Sequence, residues 1–545
     1  MTDQATRIIE KWSQLKSNRA NYESNWQDVA EYTRPIRNEF LGKKTPGDRR
    51  YQRTFDSSPL LAVDNFASGI YGMMTNPANS WFDLAMDDED LNEYEPVKEW
   101  LYDTRGRILQ SFGPQVSRFY SVIPMLYADL ACFGTAVFYS EEQVGSGRIN
   151  DTVRALSECC IDENEYGEVD TVYRRFSMNA RNAVNTFPEV SERVHKLADK
   201  SPFEQVQFIH CVEPDGEYRP KRIGRNSKPF QSVYVEEEQR RVVREAGYEE
   251  QPFHVPRWTQ AAGEIYGRGI GEMVIADVKS LNRMGETQLK VAQKTADPPM
   301  GAPDEGVIRQ LRTWPGGITY GAIDASGNQL VKPLYTGGDH RITLEIAEQR
   351  RSVIREAFYF SLMQMVGSPD MTATEWLGRQ EEKLRLMGPN LGRIQSEFLS
   401  PLINRRFGLL LRSGALLPPP EEIAGQGLNV EYVSPLARAQ MASEGAAVQR
   451  LYSVVMPIAE FDPGIMDNLD NDEAVQVLMK AYGVNPKVGR GRDEREELRA
   501  QRQQNQALMQ GMAMAEQGAG AMQKGGAGWK SMVEAQAGAQ AGAGQ

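Results

Sequence analysis

The sequence has little of what disulfide frameworks, metal sites and membrane spans require. Four cysteines and four histidines occur in 545 residues; the cysteines lack zinc-ligand spacing, and no two histidines lie within one helical turn. Four cysteines are too few to cross-link a chain of this length, which favours a reducing compartment. No apolar run approaches the ~20 residues that span a bilayer, and the polar residues 1–14 do not resemble a signal peptide. We expect a soluble protein of intracellular origin.

Motifs for common catalytic chemistry are also absent. The sequence has no G-x-S-x-G nucleophile elbow, no H-E-x-x-H zinc motif and no G-x-x-x-x-G-K-[ST] phosphate loop. The glycine-rich segment Gly263–Glu272 ends in a glutamate where a dinucleotide fingerprint needs glycine or alanine, and a carboxylate there would repel a pyrophosphate. We interpret this segment as a tight turn that leads into a helix.

Two other groups of polar residues have structural interpretations. His210 and Cys211 lie in an alternating apolar run that predicts a half-buried strand, where packing is favoured over metal or thiol chemistry. The acidic groups Asp87–Asp90 and Glu236–Glu238 are interpreted as solvated turns. The sequence therefore predicts no enzyme activity, no metal site and no cofactor.

The residues that are present indicate a folded chain of several domains. Hydrophobic residues make up 40%, enough for a core, and the length suggests roughly three or four domains. Lys and Arg number 62 against 74 Asp and Glu, a formal net charge of −12. This charge excludes a protein that holds nucleic acid by bulk charge, but it is compatible with a local basic stripe.

The first 262 residues change from a helical to a β pattern. Predicted helices are Arg7–Lys16, Tyr22–Tyr32, Ser58–Thr75 and Val116–Phe133, the last capped by Gly134. Predicted strands are Trp81–Leu84, Val137–Tyr139, Thr171–Phe176, Gln205–Val212, Val233–Glu236 and Arg241–Arg244. This segregation of helices and strands predicts an α+β fold with mostly antiparallel strands.

Residues 264–365 predict two long helices joined by an insert rich in Gly and Pro with a small β element. The first helix, Glu272–Ala296, would be ~37 Å long at 1.5 Å per residue. At about 100° per residue, four basic residues share one face: Lys279, Arg283, Lys290 and Lys294. Four apolar residues point the other way: Val278, Leu281, Met284 and Val291. The alternative interpretation of the basic face is an ordinary solvated one.

The second helix, Ile342 to about Met363, carries one apolar stripe: Ile342, Ile346, Val353, Ala357 and Phe360. Residues 366–371 cannot continue it and predict a loop. Thr372–Glu375 is a capping box that starts a helix in which Pro389 and Pro401 predict kinks. A strand at Leu428–Val433, two helices at Leu436–Ile458 and Asp472–Tyr482, and a Gln/Ala/Gly/Met tail from about 501 complete the chain; the tail is expected to be disordered or weakly helical.

This order of elements resembles the portal proteins of tailed bacteriophages, specifically the head-to-tail connectors of short-tailed (podovirus-type) phages. The motifs that carry the resemblance are Arg19–Glu23, Phe66–Gly69, Asn76-Pro77, Trp81-Phe82, Tyr266–Gly269, Met371–Glu375 and the Met/Ala/Gln-rich tail. Each motif is weak alone, but their order and spacing span nearly the whole chain. The resemblance implies a ring, usually of twelve copies, at one vertex of the capsid.

The resemblance also implies a division of the chain into named parts. Residues 1–262 and 372–435 would form an α/β wing, 263–296 and 342–365 a two-helix stem, 297–341 a small β-containing clip, 436–500 a helical crown and 501–545 a tail. The loop that projects into the channel, the tunnel loop, would be Val366, Gly367, Ser368, Pro369, Asp370 and Met371; its alternative interpretation is an ordinary helix connector.

The function implied is a conduit for double-stranded DNA during packaging and ejection, while a separate terminase motor hydrolyses ATP. Expected partners are other copies of the chain, terminase, capsid, scaffold and tail or adaptor proteins, in a virion assembled in the host cytoplasm, with no membrane. Lys279, Arg283, Lys290 and Lys294 would face the channel or bridge neighbouring stems. The alternative function is a ring-forming tail adaptor, or another structural virion protein without the packaging channel.

Overall fold

The computed structural model describes residues 2–509 with internal gaps. The gaps are 43–44, 46, 89–90, 93, 144, 188, 220–226, 302–311, 313, 315, 335–340, 364–386, 424–427, 432–434, 460, 485–487 and 491–493. The chain divides into two compact units. The first comprises Met1–Asp87 and Trp100–Gln440, and the second comprises Asp88–Glu99 and Met441–Gln545.

Helices and strands both contribute to the fold. The helices are α1 (Thr2–Asn18), α2 (Ala20–Thr33), α3 (Ser58–Met74), α4 (Glu95–Ser111), α5 (Phe119–Phe133), α6 (Ala180–Thr186), α7 (Glu192–Lys200), α8 (Ile270–Met273), α9 (Ile275–Ala296), α10 (Arg341–Ala357), α11 (Phe360–Met363), α12 (Ser400–Arg412), α13 (Pro435–Ala459) and α14 (Asn471–Tyr482). Residues 387–394 and 494–509 are also helical.

The strands are mostly short. They are β1 (Asp83–Met86), β2 (Val137–Gln143), β3 (Arg148–Arg154), β4 (Cys159–Glu163), β5 (Val169–Asn179), β6 (Gln205–Pro214), β7 (Phe230–Glu236), β8 (Arg241–Tyr248), β9 (Phe253–His254), β10 (Met300–Gly301), β11 (Lys332–Pro333) and β12 (Leu428–Glu431). The described residues thus combine helix and sheet, as the sequence pattern predicted.

The ends of α3 and α5 follow from local chemistry. Pro59 stands in the first turn of α3, where its missing N–H leaves no bond unmade. The N–H of Phe119, the first residue of α5, donates to Ser117 Oγ at 2.9 Å. α5 ends at Gly134 in the left-handed conformation, with φ 70°. Both predicted helices and the predicted glycine cap are confirmed, with edges that differ by at most three residues.

The strand predicted at Trp81–Leu84 is wrong in its position. The ladder begins two residues later, at β1, which pairs antiparallel with β12. Trp81 instead packs among aromatic rings, with centroids 4.8 Å from Phe82, 5.5 Å from Phe112 and 6.1 Å from Phe119. Burial of the indole in this cluster places Trp81 before the strand rather than in it.

Two antiparallel sheets form the centre of the first unit. One has the order β3-β2-β9 and the other the order β4-β5-β6-β7-β8. All of their pairs are antiparallel, which confirms the predicted topology. The strands β3 and β4 were not predicted, because polar residues in β3 and the short length of β4 hide the alternation in both.

β6 is buried on both faces, so the prediction of a half-buried strand is wrong. It is the central strand of the five-stranded sheet. α1 covers one face, where Ile8 packs near Ile209 and Cys211. α6 and α7 cover the other, where Ala183 packs near Phe208. A strand covered on both faces loses the alternation that distinguishes a buried from a solvent-facing side.

Glu236 is a second correction. The residue was interpreted as part of a solvated turn, but it is fully buried at the end of β7. Its carboxylate accepts hydrogen bonds from the Ser191 N–H at 3.0 Å and from Ser191 Oγ at 2.7 Å. Ser191 is the N-cap of α7, and a carboxylate is favourable at a helix N-terminus. Glu236 therefore fixes α7 to the sheet.

The glycine-rich segment before α9 is a close-packed strip rather than only a turn. Gly263 has the positive φ of a turn, at 80°. A Cβ at Gly269 would lie 2.6 Å from both Cys132 O and Gly134 N, and one at Gly271 would lie 2.9 Å from Cys132 O. Glycine is needed here because this backbone passes directly against the end of α5. The contact positions the start of α8 and α9.

α9 and α10 form a helical hairpin. The two helices contact each other, and β10 pairs antiparallel with β11 between them. The predicted first helix is interrupted at Val274, which separates α8 from α9, and the second is interrupted before α11 at Tyr359, whose φ is 54°. The predicted loop 366–371 and the capping box Thr372–Glu375 lie outside the described residues.

The helix that follows carries a π-helical turn. Residues 387–394 are helical, Gln395–Leu399 are π-helical and α12 begins at Ser400. Pro401 lies just beyond this turn, and a proline removes one backbone donor, which the wider turn accommodates. This irregularity is at the position where the sequence predicted a kink.

α12 is tied to the three-stranded sheet by a buried ion pair. Arg406 pairs with Asp151, and both side chains are 0% exposed. Ser117 Oγ donates to Asp151 Oδ2 at 2.7 Å. Around the pair, Phe138 of β2 packs on Phe398 with ring centroids 5.1 Å apart. The pair holds α12 against the sheet.

The second unit is helical in its described part. α14 and the C-terminal part of α13 belong to it, and both lie at the predicted positions. Tyr452 donates from its hydroxyl to Asn471 Oδ1 at 2.8 Å, and Arg499 Nη2 pairs with Asp472 Oδ1 at 2.6 Å. The tail beyond residue 509 lies outside the described residues.

Candidate functional site

The candidate site is the outer surface of the hairpin α9–α10. On α9, Val278 and Leu281 are each 1% exposed and face the core. Arg283, Lys290 and Lys294 are exposed, and Lys279 is half-buried. The helix therefore has the predicted apolar and basic sides.

Lys279 and Lys290, on the basic side of α9, each have a carboxylate partner within the chain. Lys279 Nζ lies 2.6 Å from Asp28 Oδ2 on α2. Lys290 Nζ lies 2.6 Å from Glu286 Oε1, one turn earlier on α9, and this contact lowers the pKa of Glu286. The basic side of α9 is thus partly neutralised before any partner binds.

A loop segment before α3 packs on α9. The N–H of Phe55 donates to Asn282 Oδ1 at 2.7 Å, and Asn282 Nδ2 donates to Arg53 O at 2.8 Å. A Cβ at Gly285 would meet Phe55 O at 3.3 Å. The segment therefore runs along α9 and orients it through backbone contacts.

Asp56, in the same segment, connects α3 to α10. Arg351 of α10 lies 2.9 Å from Asp56 Oδ2, and the Ser58 N–H donates to Asp56 Oδ1 at 2.9 Å. Burial raises the pKa of Asp56, but the hydrogen bonds from Ser58 and Arg351 outweigh it and lower the pKa below its ordinary value. Arg350, next to Arg351, pairs with Asp277 of α9. These ion pairs hold the two helices of the hairpin in place.

α10 packs into the chain with a different stripe from the predicted one. Its buried side consists of Ala347 at 1% and Ile354 at 0% exposure, and Phe358, directly after the helix, is also 0% exposed. On the predicted stripe, Ile346 is 37% and Val353 is 47% exposed, and Ala357 and Phe360 are partly buried. The predicted stripe exists, but the core of this chain uses the neighbouring side of the helix.

α11 is anchored on α3. Phe66 of α3 contacts Phe358 and Tyr359, with ring centroids 6.4 Å away in each case. Met363 fills the space above Gly69, where a Cβ would collide with its sulfur atom. These contacts fix the position of the chain up to residue 363.

The sequence pattern missed the residues that position the hairpin. Asp28, Asp56 and Arg351 act across separations of more than 200 residues, so no local spacing reveals them. Arg257, fully buried, pairs with Glu163 at 2.8 Å and Glu397 at 3.0 Å. It connects the five-stranded sheet to the helix before α12, and no sequence motif marks it.

His210, Cys132 and Cys159 are buried and engaged in packing. His210 stacks on Tyr234 with ring centroids 3.9 Å apart, and its Nε2 lies 2.9 Å from Ser232 Oγ. Burial lowers the pKa of His210 and raises the pKa of the Cys132 and Cys159 thiols to about 12. Among the described residues, no group of His, Cys, Asp and Glu could hold a metal ion.

The sequence profile described as "Bacteriophage head to tail connecting protein" matches residues 5–488. The chain belongs to this family. It is 30% identical over 523 residues to the portal protein of Salmonella phage epsilon15, covering 93% of each chain. It is 29% identical over 530 residues to the probable portal protein of Bordetella phage BPP-1, covering 95% of each. The similarity to these relatives identifies the chain as a portal protein, with a structural role in the virion.

Solved particles contain chains with a weaker likeness to this connector. In the virion of a native gene transfer agent particle, one chain is 11% identical with a TM-score of 0.34, covering 80% of this connector and 95% of that chain. In the neck of the native particle, computed with C12 symmetry, one chain is 10% identical with a TM-score of 0.33, covering 78% of this connector and 91% of that chain. No helix in the described part of the connector is long and apolar enough to span a bilayer.

Proposed function

We propose that the chain assembles into a ring of twelve copies whose central channel passes double-stranded DNA during packaging and ejection. The observation that carries this proposal, beyond the family, is a local reversal of charge. The whole chain has a net charge of −12, whereas α9 has four basic and two acidic residues and α10 has four basic and three acidic residues. A basic segment on an acidic protein is where a polyanion is best tolerated.

The hairpin supports the proposed division into parts. α9 (within 263–296), and α10 from residue 342 onward together with α11 (up to 365), would form the stem, and the β10–β11 pair would belong to the clip, 297–341. The wing would be 1–262 and 372–435, the tunnel loop 366–371 and the crown 436–500. The alternative function is a tail adaptor. We expect a tail adaptor to lack a helix–strand–helix hairpin of this kind, so the hairpin favours a portal subunit.

The charge pattern suits a conduit better than a clamp. Each phosphate that a protein neutralises adds salt-dependent affinity, which would resist the movement of DNA. Because Lys279 and Lys290 already have carboxylate partners, the basic side of the stem would guide the duplex weakly. In this arrangement the four basic residues face the channel or bridge neighbouring stems.

The proposed partners follow from this position. The ring would occupy one vertex of the capsid, assemble in the host cytoplasm, and contact capsid and scaffold proteins during assembly. A terminase would dock on it during packaging and supply the ATP hydrolysis, and tail or adaptor proteins would replace it afterwards. The chain itself would act without a cofactor.

Native mass spectrometry with negative-stain imaging of the purified protein tests the architecture. A closed ring of about twelve subunits with a central hole is expected. A stable dimer or tetramer without a hole would contradict the portal architecture.

DNA packaging tests the role of the stem. Charge reversal of Lys290 and Lys294 to Glu changes either packaged DNA or ring formation, because these residues face the DNA or a neighbouring stem. The matched control is Lys196→Glu on α7, an exposed lysine in an i,i+4 pair like that of Lys290. Normal rings with normal packaging in the double variant would exclude both roles for the basic side.

A further inference from the structure

α10 has two separate apolar stripes. Ala347 and Ile354 are buried within the chain, as is Phe358 directly after the helix, whereas Ile346 and Val353 are 37% and 47% exposed. At about 100° per residue, the exposed pair lies roughly 110° around the helix from the buried stripe. A helix that is apolar on more than one side is normally covered on each of them.

The exposed stripe has an acidic border. Glu345 and Glu356 are both exposed and lie about 70° from Val353 on the side away from the core. The outer side of α9 carries the opposite charge, through the exposed residues Arg283, Lys290 and Lys294. The hairpin therefore has one acidic-bordered apolar surface and one basic surface, on different helices.

This difference decides how two copies can meet. If each copy used the same surface, glutamates would face glutamates or lysines would face lysines. Contact between unlike surfaces joins opposite charges instead, and such a heterologous contact, repeated from copy to copy, forms a ring when the rotation between copies closes. The aliphatic stems of Lys and Arg can cover Ile346 and Val353 while their charged ends reach the glutamates.

We propose that the stripe Ile346/Val353 of one copy docks on the basic side of α9 of the next copy, with Glu345 and Glu356 pairing with Arg283, Lys290 and Lys294. This inference rests on the proposed ring. It assigns the basic side to contacts between stems and leaves the channel wall with fewer cations.

The first test is Val353→Asp, with Leu344→Asp as the matched control. Leu344 is on the same helix and is 54% exposed, but it lies about 180° around from the stripe. Native mass spectrometry should show the ring fraction of Val353→Asp reduced roughly tenfold or more, since an unpaired carboxylate is costly in a contact, while Leu344→Asp forms rings. Unchanged circular dichroism spectra would show that both variants fold. Normal rings in Val353→Asp would overturn the proposal.

The second test is an exchange of charges. Glu345→Lys/Glu356→Lys alone and Arg283→Glu/Lys290→Glu alone should each reduce the ring fraction, and the quadruple variant should restore it. A quadruple variant no better than either double variant would overturn the pairing. Rings that persist in every variant would refute this inference and leave the portal function intact, whereas a wild type without rings would refute both.

Discussion

The five-stranded sheet and the hairpin α9–α10 differ in how much of each a single chain can bury. β6 buries six of its ten residues, whereas α9 buries only Val278 and Leu281 among its 22. The sheet is covered on both faces by helices of its own chain, whereas the hairpin buries one narrow apolar side of each helix and adds ion pairs at its edges. A sheet of this kind is stable within one subunit, while a hairpin of this kind gains its stability from further surfaces.

The largest expected effect is in the sheet region. Asp151→Ala leaves Arg406 as an uncompensated charge where both side chains are 0% exposed, so we expect a loss of about 3–5 kcal/mol in unfolding free energy. Urea unfolding followed by tryptophan fluorescence measures it. The control is Arg412→Ala, which removes an exposed pair with Glu250 and should cost less than about 1 kcal/mol. Equal losses of unfolding free energy in the two variants would show that the buried ion pair stabilises the chain no more than the exposed one.

An intermediate effect is expected where the hairpin α9–α10 joins the rest of the first unit. Gly269→Ala places a Cβ 2.6 Å from backbone atoms of Cys132 and Gly134, and overpacking of this kind costs about 1–3 kcal/mol. Gly72→Ala, on α3, meets no atom within 4 Å and should stabilise the helix by up to about 1 kcal/mol. Thermal unfolding should therefore show a lower Tm for Gly269→Ala and a higher Tm for Gly72→Ala than for the wild type. A neutral Gly269→Ala would show that the strip before α8 can shift.

The smallest effect is expected in the hairpin and depends on pH. Asp56→Asn weakens the contact with Arg351, and we expect a loss of about 1–2 kcal/mol in the local stability of α10 at pH 7. Hydrogen exchange of α10 amides measures it. Because the folded-state pKa of Asp56 is lowered, its contribution is present above about pH 4 and is lost as the pH falls through the folded pKa.

The difference in exchange between wild type and Asp56→Asn should therefore shrink in acid. Asp28→Asn is the control, because its 51% exposed carboxylate pairs with Lys279 at the surface and should matter less. A difference that grows on acidification would have the wrong sign and would exclude this role of Asp56.

Local patterns predicted the helices well and the long-range contacts not at all. The two sides of α9 follow from spacing alone, since Val278 and Leu281 recur at a helical interval. Glu236 was misinterpreted because its burial depends on Ser191, 45 residues away. The stripe of α10 was found, but spacing does not say whether a chain's own core or another surface covers it. Such choices are made by tertiary packing.

The buried cysteines allow opening of the fold to be measured by thiol labelling. All four thiols are free and buried, and burial raises the pKa of each one, so a thiol-specific reagent finds little reactive thiolate in the native chain. They lie on α5, β4 and β6, and α9 and α10 carry none. A single cysteine introduced on α9 or α10 would therefore be the one site labelled quickly. In the same sample, the slow labelling rate of the native thiols would measure how often the sheets open.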